Sequence, residues 1–171
     1  MINKKIEEAI NKQINAELYS AYLYLSMGAY FGAMNLPGFE NWMKVQAQEE
    51  TFHAMKFFNF VNERGGRVIL EAIDKPEVEW DNPVAVFEEV YKHEQHVTDL
   101  INKLMDLAIK ENDHATRVFL TWYIDEQVEE EANASSLLEK LKMIGDSKNG
   151  VFMMDHGLSK RVFKMPAKEE D

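Results

Sequence analysis

Cysteine is absent from this sequence of 171 residues. Its absence excludes a disulfide framework, an iron–sulfur cluster, a thiolate zinc site and a cysteine nucleophile. Proline occurs only four times, which leaves long stretches free to form helices. No run of about 18 apolar residues is present, and charged residues interrupt the first 13 positions. We therefore expect neither a membrane span nor a secretory signal, and we expect a cytoplasmic location.

Basic residues are also few, because 19 Lys and Arg stand against 30 Asp and Glu and give a net charge of −11. Nucleic acid and anionic lipid both require a positive protein surface. We therefore expect no nucleic-acid partner and no membrane partner. The surplus acid has two interpretations: it forms an ordinary solvated surface, or part of it binds cations.

Apolar residues recur every three or four positions along four long spans, which predicts four amphipathic helices. The breaks between these spans fall at positions 32–37, 64–81 and 112–113. Asp113 is a good N-cap for the fourth helix, Gly145 ends it, and Asp146 or Ser147 can cap a short fifth helix. The sequence thus predicts an all-α four-helix bundle with a long crossover between helices two and three and a short C-terminal helix.

Six polar residues interrupt the apolar stripes of the four helices: Glu17, Glu50, His53, Glu94, Gln127 and Glu130. Each of them alone would be interpreted as a side chain at the edge of its stripe that reaches water. The interval from the first to the second is 33 residues, the interval from the fourth to the fifth is also 33, and the second half repeats the first with an offset of 77. Both intervals are centred in or beside a short link. All six are therefore expected at one height, about 24 Å from the turns, and we call them the polar layer.

Four carboxylates in an apolar layer repel one another and lose hydration, so they must be protonated or paired with cations. No Lys or Arg lies on these stripes near the layer. Two divalent ions would balance the four charges, and oxygen and imidazole ligands without sulfur suit iron or manganese and tolerate zinc. The spacing of Glu50 and His53 lets both hold one ion from one helical face. Di-iron bundles use a Glu from each of two helices and Glu-x-x-His from the other two, whereas the second motif here is Gln127-x-x-Glu130.

The chain resembles a non-haem bacterial or archaeal ferritin over nearly its whole length, a member of the ferritin-like di-iron carboxylate family. The motifs that carry the resemblance are Glu17-x6-Tyr24, Glu49-Glu50-Thr51-Phe52-His53, Glu94 and Glu126-Gln127-Val128-Glu129-Glu130. The resemblance implies that a first iron is held by Glu17, Glu50 and His53. It implies that a second iron is held by Glu50, Glu94 and Glu130, with Glu50 as the bridge.

Further roles follow from the same resemblance. Tyr24 is expected beside the first iron, where it takes part in oxidation, and Gln127 is expected beside the second. A third iron nearby is expected on the outer cluster, which we define as Glu49, Glu126, Glu129 and Glu130. Such chains form hollow shells of twenty-four copies, oxidise Fe(II) with dioxygen or hydrogen peroxide, and store the product as a ferric mineral. The expected partners are therefore Fe(II), the oxidant and other copies of the chain.

Departures from related families narrow the assignment. Thr51 follows the bridging glutamate where a haem-binding bacterioferritin would carry methionine, so no haem is expected. The missing cysteines exclude the iron domain of a rubrerythrin, and a fifth helix is foreign to mini-ferritins. Residues 1–165 are expected to form a single ferritin-like domain, and 166–171 a frayed tail.

Two other functions remain open on the sequence alone. A soluble di-iron oxidase or peroxidase without mineral storage would share the site but would not need the fifth helix or a shell. A non-catalytic helical interaction module would bind no metal, and it would leave the polar layer and its repeated spacing unexplained.

Overall fold

The computed structural model describes residues 1–164 and consists of five helices in that range. Their bounds are α1 Lys4–Ala33, α2 Pro37–Glu63, α3 Pro83–Lys110, α4 His114–Ile144 and α5 Lys148–Leu158. The predicted all-α bundle with its long second connection is confirmed. The tail predicted to fray, 166–171, lies outside the described residues. Within 1–164, no helix combines the length and the apolar character needed to cross a membrane.

The helices begin at the capping residues that the sequence offers. The side chain of Asn82 accepts a hydrogen bond from the amide of Ala85, and Asp113 accepts one from the amide of Thr116. Ser147, not Asp146, caps α5, because the left-handed Gly145 has already ended α4 and turned the chain.

Two separate apolar clusters fill the bundle, one at each end. The first contains the C-terminal half of α1, the N-terminal half of α2 and the packed face of α5; the second contains the opposite ends of the same helices. Tyr24 belongs to the first cluster and Tyr123 to the second, and both side chains are almost fully buried. The polar layer lies between the two clusters, about halfway along the bundle.

Helix α5 docks on the N-terminus of α2 through one buried carboxylate. Oδ1 of Asp155 accepts hydrogen bonds from the amides of Gly38 at 2.7 Å and Phe39 at 3.0 Å. These amides have no partner inside α2, and the positive end of the helix dipole favours the negative charge. The approach is so close that a Cβ on Gly38 would lie 1.7 Å from the carbonyl oxygen of Asp155.

Gly38→Ala is therefore expected to push α5 off the bundle and to cost about 1–3 kcal/mol of stability. Thermal unfolding, together with limited proteolysis between α4 and α5, would measure the effect. Gly157→Ala is the matched control, because a Cβ at this helical position meets no atom within 4 Å. A similar melting temperature and cleavage rate for the two variants would contradict the importance of the close contact.

Candidate metal centre

The structure buries all six members of the polar layer at the centre of the bundle. Their exposed fractions are Glu17 1%, Glu50 2%, His53 4%, Glu94 1%, Gln127 4% and Glu130 7%. Helices α1 and α3 contribute one glutamate each, while α2 and α4 contribute the two i, i+3 pairs. Carboxylates buried to this extent require a proton, a hydrogen-bond donor or a cation beside them.

Glu17, Glu50 and His53 form the most compact group. One ligand atom from each lies within 4.8 Å of the other two, and no other set of three such residues meets this spacing within residues 1–164. Nδ1 of His53 lies 3.3 Å from Oε2 of Glu50. Gln13 donates to Oε1 of Glu17 at 2.9 Å, but Oε2 of Glu17 is buried without a hydrogen-bond partner. The group therefore has the geometry and the unmatched oxygen of a cation site.

Glu94 and Glu130 lie across the layer and are held by neutral donors. The hydroxyl of Tyr24 donates to Oε1 of Glu94, while Nε2 of Gln127 lies 3.3 Å from both its carbonyl oxygen and its Oε2. Gln46 donates to Oε2 of Glu130 at 3.1 Å. Donors of this kind orient a carboxylate and leave its other oxygen for a ligand.

The electrostatics of the layer favour bound protons when no cation is present. Burial and the neighbouring Glu50 raise the pKa of Glu17 to about 8. Burial and the neighbouring Glu94 raise the pKa of Glu130 to about 8. Burial, followed by the charges of Glu94 and Glu130, raises the pKa of Glu50 well above its ordinary value. A divalent cation would remove the cause of these shifts by supplying the missing positive charge.

Tyr24 is a neutral phenol in this environment. Burial, followed by the charge of Glu94, raises its pKa well above the ordinary value of a tyrosine. Its ring meets Trp42 and His93 edge to face, with centroids 6.3 Å away in each case. The hydroxyl is thus fixed against the carboxylate of the layer that belongs to α3.

The outer cluster lines a small cleft next to the layer. Its four carboxylates and His53 border a volume of about 80 Å³, enough for a cation with a few waters, since one water needs roughly 10–15 Å³. Glu49 and Glu126 are half-buried and Glu129 is exposed. Glu49 is not free, because Nη2 of Arg161 lies 2.6 Å from its Oε2.

Two supporting contacts show the internal repeat in three dimensions. Gln46 on α2 reaches Glu130 on α4, and the hydroxyl of Tyr123 on α4 donates to the carbonyl oxygen of His53 on α2 at 2.8 Å. The donors are 77 residues apart, and so are the acceptors. The sequence analysis missed these roles, although both donors lie on the stripes and four residues before a member of the layer.

His93 lies nearer to the site than its position beside Glu94 suggested. Its Nε2 lies 2.8 Å from Oγ of Ser20, and its ring also packs on Tyr19 with centroids 6.0 Å apart. Burial lowers its pKa to about 4, so the ring is neutral near pH 7. Only the packing of α3 against α1 reveals this contact, because nothing in the local sequence pairs the histidine with a serine.

Comparison with known proteins gives one consistent match. The family described as Ferritin-like domain matches residues 7–144. The bacterial non-heme ferritin of Bacteroides fragilis (strain 638R) is 44% identical over 161 residues, which is 94% of this chain and 100% of the relative. The bacterial non-heme ferritin of Staphylococcus saprophyticus is 39% identical over 163 residues, which is 95% of this chain and 98% of the relative.

Solved structures agree with these sequences. An engineered closed form of the Archaeoglobus fulgidus ferritin is 55% identical and superposes with a TM-score of 0.95, covering 96% of this chain and 100% of that one. An open-pore ferritin from the same hyperthermophilic archaeon is 56% identical with a TM-score of 0.94, covering 95% and 100%. The likeness therefore extends over the bundle and the fifth helix together.

Proposed function

Because this chain belongs to the ferritin family, we propose that it is an iron-storage protein that oxidises Fe(II) at the polar layer. The oxidant is dioxygen or hydrogen peroxide, and the ferric product is kept as a mineral inside a shell of many copies. The same proposal places the protein in the cytoplasm and assigns it no haem.

The observation that carries the proposal is the compact group of Glu17, Glu50 and His53. Three ligand atoms within 4.8 Å of one another, all buried, can converge on one ion, and the unmatched Oε2 of Glu17 gives that ion an oxygen that nothing else uses. Oxygen ligands with a single imidazole and no sulfur suit Fe(II). The first Fe(II) is accordingly assigned to this group.

The second Fe(II) is assigned to Glu50, Glu94 and Glu130, so that Glu50 bridges both ions. Gln127 and Gln46 hold the two terminal carboxylates by donating to them. The second position has no histidine, so the two ions have unequal ligands. Unequal ligands tune the two redox steps separately.

The redox balance needs both ions. Each Fe(II) loses one electron, and the two electrons with two protons reduce dioxygen to hydrogen peroxide. With hydrogen peroxide as oxidant, two electrons and two protons break the O–O bond and yield two waters. Tyr24 keeps its proton near pH 7 and bonds to Glu94, so it can release an electron and a proton together into the layer.

Assembly into a shell of twenty-four copies, with α5 near the fourfold axes, is the part of the proposal that storage requires. Large apolar side chains remain exposed on the isolated chain, among them Leu25, Met55, Phe152 and Met153. Exposed apolar surface of this extent is typical of a subunit interface.

Light scattering on the isolated protein tests the shell. The expected mass is roughly 480 kDa, or twenty-four times 19.9 kDa, and after aerobic loading the iron content should rise far above two per chain. A monomer or dimer that stops at two irons per chain would contradict storage. That result would instead indicate the alternative function, a soluble di-iron oxidase or peroxidase.

A further inference from the structure

The segment that follows α5 is held against α2 and carries one arginine to the outer cluster. Nδ2 of Asn41 donates to the carbonyl oxygens of Leu158 at 3.2 Å and Arg161 at 3.0 Å. The guanidinium of Arg161 lies over the ring of Trp42, 4.7 Å from its centroid. Contacts from α2 on both sides therefore fix where this side chain points.

The guanidinium ends on a carboxylate of the outer cluster. Nη2 of Arg161 donates to Oε2 of Glu49 at 2.6 Å, and the two side chains are only 24% and 22% exposed. Partial burial and the short charge-assisted bond make this pair stronger than an ordinary surface salt bridge. Nη1 of Arg161 is buried without a hydrogen-bond partner. The guanidinium thus has a donor to spare at the wall of the acidic cleft.

The same cleft is bordered by both the cluster and the arginine. Arg161 lines it together with Glu126, Glu129 and Glu130. A cation that used Glu49 as a ligand would need the oxygen that now accepts from Nη2. Since an arginine stays charged at any ordinary pH, the guanidinium does not leave by losing its proton. A metal ion and the guanidinium therefore compete for one carboxylate.

We infer that Arg161 is a built-in counter-ion of the outer cluster, which competes with a third cation for Glu49 and keeps that cation weakly bound. The inference rests on the proposed function, because it takes the outer cluster as a cation position. While the third cation is bound, Arg161 is displaced from Glu49; when the cation leaves, Arg161 returns and the carboxylate is again neutralised. Weak binding suits a position that passes ions on from the polar layer.

Zinc, which is redox-inert, is the probe that separates binding from oxidation. Calorimetric titration of the assembled protein with Zn²⁺ should resolve tight binding at the polar layer and weaker binding at the outer cluster. Arg161→Gln is expected to tighten the weaker binding roughly fivefold, in line with the loss of a partly buried ion pair, and to leave the tight binding unchanged. In a Glu49→Gln background the same change should have no effect on Zn²⁺ affinity.

Lys142→Gln is the matched control. It removes the same charge and also breaks ion pairs, with Glu88 and Glu139, far from the cleft. If Lys142→Gln and Arg161→Gln tighten the weaker binding equally, the effect is one of net charge and the inference is overturned. An unchanged affinity in Arg161→Gln overturns it as well. If Zn²⁺ fails to bind even the polar layer of the unmodified protein, the proposed function itself fails.

A crystal structure of the unmodified protein loaded with Zn²⁺ decides the matter without any variant, should Arg161→Gln not assemble. The contact between Nη2 of Arg161 and Oε2 of Glu49 is expected to lengthen beyond hydrogen-bonding distance when a cation occupies the outer cluster. An intact contact beside a bound cation would overturn the inference.

Discussion

His53→Ala and Glu130→Ala are each expected to slow aerobic Fe(II) oxidation by roughly a hundredfold or more. Changes to residues that merely support metal ligands already cost about 10–100-fold, so losing a ligand should cost at least the upper end of that range. His53→Ala removes the imidazole of the first position, and Glu130→Ala removes a carboxylate of the second. Both positions are needed, since each ion supplies one of the two electrons.

Stopped-flow absorbance of the ferric product, at two Fe(II) per chain, measures this effect. His156→Ala and Glu139→Ala are the matched controls, because both side chains are exposed and lie outside the polar layer. The controls should keep the oxidation rate of the unmodified protein. Unchanged rates in both His53→Ala and Glu130→Ala would remove the polar layer as the site of oxidation.

The metal-free protein is expected to lose stability as the pH rises from about 4.5 to about 8. The pKa of Glu17 and that of Glu130 are raised to about 8, whereas the unfolded chain releases these protons near pH 4.5. Between these values the folded chain holds protons that the unfolded chain has lost, so each pH unit costs about 1.4 kcal/mol per carboxyl group. Below pH 4.5 the penalty is absent, and above pH 8 it is complete.

Thermal unfolding of metal-free and Zn²⁺-loaded protein at pH 5, 6.5 and 8 would test this dependence. Bound Zn²⁺ should flatten it, because the cation takes the place of the protons. Glu17→Gln, a neutral side chain of equal size, should raise the melting temperature of the metal-free protein at pH 8 and leave it nearly unchanged at pH 5. A melting temperature of metal-free protein that rises with pH would contradict the burial of ionised carboxylates.

The helices and the polar layer could be predicted from the sequence because each depends on local order along the chain. The apolar period fixed which face of each helix is buried, and Asp113 indicated the start of α4. The equal intervals of 33 residues placed Glu17 opposite Glu50 and Glu94 opposite Gln127, because hairpins with short links align residues equidistant from the turn. The choice between Asp146 and Ser147 needed the actual turn at Gly145.

The neighbours of the layer could not be predicted in the same way. The bond from Tyr123 to the backbone of His53 depends on how closely α2 and α4 approach, and the bond between His93 and Ser20 depends on α1 and α3. The contact of Arg161 with Glu49 depends on the path of the chain after α5, which has no periodic pattern to define it. The ligand roles given to the layer and the domain bounds 1–165 stay predictions.

The division of the interior into two apolar clusters bears on how ions can reach a site that is shut off from solvent. Each cluster sends one tyrosine hydroxyl into the plane between them: Tyr24 bonds to Glu94, and Tyr123 bonds to the backbone of His53. The carboxylates between these two anchors can swing and exchange partners while both clusters remain packed, because local opening needs only the contacts at that level to break. Cation traffic through the middle of the bundle is thereby separated from the cohesion of its two ends.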